Sequence, residues 1–98
     1  MTLDEKVEKG KEIATKIEGI ILTEWRKWIE AVDKKGLPAA LNMAEKFSSS
    51  PSMRQKPRET YKTILKLSSI LKKIPRKDLL EVLGYATRWL VSKQIKKI

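Results

Sequence analysis

The chain has 98 residues, enough for one small domain, and carries 22 Lys and Arg against 12 Asp and Glu, a formal charge of +10, with no His and no Cys. That composition excludes a His general base, a Cys nucleophile, a zinc site of the His/Cys type and any disulfide framework, so packing alone must hold the core. The longest purely aliphatic run, Ile20-Ile21-Leu22, falls far short of the roughly 20 residues of a membrane span, and no secretory apolar segment follows Met1. A cytoplasmic protein with no membrane partner is the expectation.

Gly, Pro and Ser cluster at three places and nothing between them alternates as a strand does, which predicts an all-α fold: a small helical bundle of three long helices and one short helix, at least about 70% helical, in a single helical domain over residues 1–98. The first predicted helix spans about 3–34. Thr2 and Glu5 have the spacing of a capping box, and Leu3, Val7, Gly10, Ala14, Ile17, Ile21, Trp28 and Val32 recur at three-and-four spacing. Lys34, Lys35 and Gly36 suit its C-terminus. Such a helix would be about 48 Å long against about 25 Å for the third, so it must bend or overhang. Gly10 and Gly19 are candidate hinges or close-packing points. An overhanging start would offer a homodimer surface through this helix.

Leu37-Pro38 opens a short second helix over about 38–47, with Leu41, Ala44 and Phe47 on one face. Residues 48–57 are polar, hold two prolines and lack a period, which predicts a flexible loop. The third helix covers about 57–73. The fourth covers about 75–96, with Leu79, Val82, Leu83, Ala86, Trp89 and Leu90 on an arc of about 120°. Trp28 and Trp89 fall on core stripes, whereas Trp25 falls at a stripe edge and is expected to be partly exposed.

Charge is distributed unevenly. Residues 1–35 hold eight acids and eight bases, so the whole excess lies in residues 36–98. On a wheel of the third helix, Arg58, Lys66, Ser69 and Lys73 fall within about 40° of Lys62, and Tyr61, Ile64, Leu67, Leu71 and Ile74 occupy the opposite half. Such a stripe costs a few tenths of a kcal/mol per like-charged i,i+4 pair, and only Glu59 offsets it on that helix. A polyanion-facing surface is expected, centred on Arg58, Lys62, Lys66 and Lys73 and extended by Arg54 and Lys56 in the loop and by Arg76 and Lys77 at the start of the fourth helix. Evenly spaced cations neutralise phosphates without reading bases, which points to non-specific binding of nucleic acid, DNA or RNA.

Asp78-Leu79-Leu80-Glu81-Val82-Leu83-Gly84-Tyr85-Ala86-Thr87-Arg88-Trp89-Leu90 resembles the middle of a helix-turn-helix. That resemblance implies base- or phosphate-facing roles for Thr87, Arg88 and Ser92. Leu80 and Lys93 depart from the pattern, and an unbroken helix fits the apolar arc better. Seventeen Lys and ten Ile beside one Asn and two Gln resemble the bias of hyperthermophile proteins, so an archaeal source is expected. With no paired acids, phosphate loop or activated nucleophile, the chain is not expected to be an enzyme, nor to hold a catalytic residue, a metal or a cofactor. The expectation is a small basic accessory subunit of an archaeal DNA- or RNA-handling complex, with larger protein subunits as further partners. The alternatives are an adaptor docking on an acidic partner, or a viral or plasmid helix-turn-helix regulator.

Overall fold

A computed structural model describes residues 1–96, of which 82% are helical and none is in a strand. Six helices follow one another in the described chain: α1 (Leu3–Lys16), α2 (Leu22–Lys35), α3 (Leu37–Ser48), α4 (Gln55–Lys66), α5 (Ser68–Lys73) and α6 (Arg76–Lys96). The all-α expectation holds, while the count of three long helices and one short one does not.

The predicted first helix is two helices. Thr2 caps α1 as expected: its hydroxyl accepts from Glu5 N, and Glu5 returns the bond to Thr2 N. The chain then turns over residues 17–21, where Gly19 adopts φ +88°, a conformation that costs a side-chain-bearing residue energy. Ile17 and Ile20 anchor this turn in the core. Ile21 N, which begins α2 without a cap of its own, donates to Thr60 Oγ1 on α4. Of the two alternatives, bend or overhang, the chain bends at Gly19, and α1 lies along α6.

The remaining boundaries also move. Gly36 adopts φ +90° between α2 and α3, and Pro38 sits in the first turn of α3, which runs on to Ser48. The loop contracts to residues 49–54 because α4 starts at Gln55 and accommodates Pro57 in its first turn, where a backbone N–H has no helical partner to lose. The predicted third helix breaks at Leu67, whose N–H bonds Ile64 O, three residues back, just before the poor helix formers Ser68-Ser69. No break interrupts α6 at Gly84.

Two groups of helices share the core. In one, α1 and α6 run parallel: Lys6 pairs with Glu81 and Glu18 with Lys93, the same offset of 75 residues at both ends. Gly10 lets them approach, since a Cβ there would lie 2.7 Å from Tyr85 Cβ and 3.0 Å from Val82 O. In the other group α3 packs on both α2 and α4. Two tryptophans of α2 join the groups. Trp25 and Trp28 are fully buried, stack with centroids 5.6 Å apart, and donate to Thr87 Oγ1 on α6 and Ala40 O on α3 respectively. Trp25 thus corrects its expected partial exposure, because the turn at residues 17–21 resets the wheel on which that expectation rested. Trp89 corrects in the other direction: it lies at the margin of the α6 arc, 37% exposed, with Lys11 and Lys93 over its ring.

Asp78 opens α6 with its carboxylate nearly buried, 3.2 Å from the N-terminal ammonium and 3.4 Å from Lys6 Nζ. Burial pushes its pKa up, but the two cations more than offset this and hold it below the ordinary carboxylate value. A depressed carboxylate pKa contributes stability above the unfolded value, near 3.9, that is lost as pH falls through the folded one. Asp78→Asn should therefore lower the melting temperature at neutral pH, and its gap from wild type should narrow below about pH 4. Thermal melts across acid pH measure this, and a constant gap would show that the ion pairs contribute nothing.

Candidate nucleic-acid interface

Helix α4 sorts its side chains sharply. Thr60, Tyr61 and Ile64 point into the core, where the Tyr61 hydroxyl donates to Glu24 Oε2 at 2.7 Å and the ring meets Phe47 edge-on. Burial and then the Glu24 carboxylate push the Tyr61 pKa up, so the phenol stays protonated. On the opposite face Arg58, Lys62 and Lys66 follow one another at i, i+4 and i+8, a rise of about 6 Å per step. Lys62 and Lys66 are exposed and Arg58 is half-buried, its Nε sealed from solvent and donating to no protein atom among the described residues.

Every lysine ion pair among the described residues falls outside this face. Lys6 and Lys9 on α1, Lys27 and Lys34 on α2 and Lys93 on α6 all form ion pairs. Among the described residues none of Arg54, Lys56, Arg58, Lys62, Lys66, Lys73, Arg76 and Lys77 forms one. The one acid of α4, Glu59, accepts from Gln55 Nε2 instead.

The eight do not form one patch. Lys56 lies in the first turn of α4, outside the loop, and borders a hollow with Glu59, Glu18 and the α1–α2 turn, about 120° around the helix from Lys62. Lys73 lies beyond the break at Leu67 and joins Arg76 in a separate cleft with Lys35 and Lys72. Lys35 and Lys72 were missed by sequence reasoning, since only tertiary packing brings the α2–α3 junction to the α5–α6 junction. Arg54 is exposed at the N-cap of α4 and Lys77 at the start of α6.

The helix expected to run unbroken does so, and the helix-turn-helix alternative fails at its turn, because α6 continues through Gly84. Thr87 reads no base from its position: its hydroxyl accepts from Trp25 Nε1 and donates to Leu83 O. The aromatic residues offer little for base stacking, as Trp25, Trp28 and Tyr61 are buried and the exposed Trp89 is on α6.

No family of proteins, no curated protein and no solved structure matches the chain. Among the described residues no helix is long and apolar enough to cross a membrane.

Proposed function

We propose that the chain is a small nucleic-acid-binding or accessory subunit of a DNA- or RNA-handling complex, and that it contacts phosphates through Arg58, Lys62 and Lys66. The observation that carries this reading is that these three cations share one face of α4 and none of them forms an ion pair among the described residues, whereas on α1 Lys6 and Lys9 pair with acids. A face selected for solubility alone would interleave signs. Phosphate contacts of this kind position a duplex or strand without reading its sequence. The composition favours an archaeal source.

Binding should weaken linearly with salt on a log-log plot, with a slope of about −2 to −3 for three phosphate contacts. The double variant Lys62→Glu, Lys66→Glu should lose at least about tenfold in affinity for unrelated sequences alike. Lys9→Glu with Lys16→Glu on α1 should lose far less. Fluorescence anisotropy with single-stranded DNA, duplex DNA and RNA measures both, and equal losses from the two variants would replace a located face with a general attraction to a +10 chain.

A second reading, an adaptor for an acidic partner, rests on a different observation: the cleft that takes Lys73 and Arg76 away from the α4 stripe.

A further inference from the structure

Lys35 ends α2, Lys72 and Lys73 end α5, and Arg76 begins α6. Packing gathers all four around a cleft of about 980 Å³ between the α2–α3 and α5–α6 junctions. None of them forms an ion pair among the described residues, and the carboxylate of Asp33 is the one acid on the lining. Lys34 also lines the cleft but is held by Glu30. Between the cations the surface is aliphatic. Leu80 is 42% exposed at the edge, Leu37 and Pro38 border it, and Leu71, Ile74 and Leu79 form the floor beneath.

The geometry points to a docking site for a short acidic segment of a partner protein, carrying one or two bulky aliphatic side chains, which inserts those side chains against Leu80 and Leu37 while its carboxylates meet Lys35, Lys72, Lys73 and Arg76. This gives the adaptor reading its site and its kind of partner, and it rests on that reading and not on phosphate binding by α4.

Charge complementarity and the chemistry of the floor select the occupant together. Four unpaired cations on two helix junctions demand several negative charges spread along a chain, more than one carboxylate of a fatty acid supplies. A nucleic acid would satisfy the cations but leave the exposed side chain of Leu80 and the half-buried Leu37 uncovered, because bases stack on aromatic rings and no aromatic residue lines the cleft. An acidic peptide with aliphatic anchors satisfies both: apolar side chains fill the recess while charges on the rim steer and orient the segment.

The test uses fluorescein-labelled peptides on the full chain: an Asp/Glu-rich peptide bearing two leucines, and the same peptide with serines in their place. The leucine peptide should bind, and the serine peptide should bind at least about tenfold more weakly. Lys73→Glu with Arg76→Glu should weaken the leucine peptide by about tenfold or more, and Leu80→Ser by several-fold, with circular dichroism confirming that both variants remain helical. Lys62→Glu with Lys66→Glu should leave peptide affinity within about twofold of wild type, so loss of nucleic-acid binding in that variant and loss of peptide binding in the other are read separately. Equal binding of the two peptides would overturn the proposal, as would equal effects of the two charge reversals. So would displacement of the peptide by oligo-dT through Lys73 and Arg76, or by decanoate at the same affinity.

Discussion

Trp28→Ala is expected to destabilise the fold by about 3 to 5 kcal/mol, the range for emptying a fully buried large aromatic site. Trp28 is buried completely, stacks on Trp25, and donates its indole N–H to Ala40 O at 2.8 Å. Truncation therefore opens a cavity between α2 and α3, removes a ring contact, and leaves a buried carbonyl short of a partner. A chain of this length has about 5 to 15 kcal/mol in total, so a large share of its margin would go. Chemical denaturation should show the midpoint falling steeply, with Leu71→Ala, also fully buried, costing about 2 to 5 kcal/mol. Lys66→Ala, exposed on α4, should stay within about 0.5 kcal/mol of wild type. Equal losses in the three would mean that the packing described for α2 and α5 is wrong.

The two glycines that face opposite environments should respond with opposite sign. Both lie inside helices, where Ala is intrinsically better by about 1 kcal/mol. At Gly84 nothing lies within 4 Å of the position a Cβ would take, so Gly84→Ala should stabilise by about 0.5 to 1 kcal/mol. At Gly10 the Cβ would meet Tyr85 Cβ at 2.7 Å and the backbone of α6, at Ala86 N and Val82 O, at 3.0 Å. Backbone atoms yield only if the helices part, so Gly10→Ala should destabilise by about 1 to 3 kcal/mol despite the better propensity. Denaturation of the two variants side by side decides it. Stabilisation by both would remove the close approach of α1 and α6.

These residues also mark what was legible in the sequence. Helical class followed from periodicity and from the placement of Gly and Pro, and the capping box at Thr2 and Glu5 formed as read. The turn at residues 17–21 was hidden because Ile17 and Ile20 bury themselves in it, so three-and-four apolar spacing continues where the helix does not. Gly10 and Gly19 were both visible as special, and only the structure divides their roles into close approach and turn. Once the helix was read as continuous, its wheel misplaced Trp25. The same error occurred at Leu67, where extrapolating through Ser68-Ser69 joined Lys73 to a stripe that ends at Lys66. Arg58, Lys62 and Lys66 lay on one uninterrupted helix and came out together. Lys35 and Lys72 could not be found that way, because their proximity depends on how two distant junctions pack.

The parallel pairing of α1 with α6 sets an order of events during synthesis. Ile13 and Ala14 belong to α1, whereas the Val82, Leu83 and Ala86 side chains of its partner α6 are made about seventy residues later. Until those residues are in place the apolar side of α1 has no native cover, while α2, α3 and α4 pack on one another without α6. α1 is therefore the first helix made and the last to meet its partner. Non-local closure of this kind is slow relative to the local contacts of a simple up-and-down bundle. A free chain truncated before Val82 should consequently be cut by protease within α1 while α2 to α4 resist.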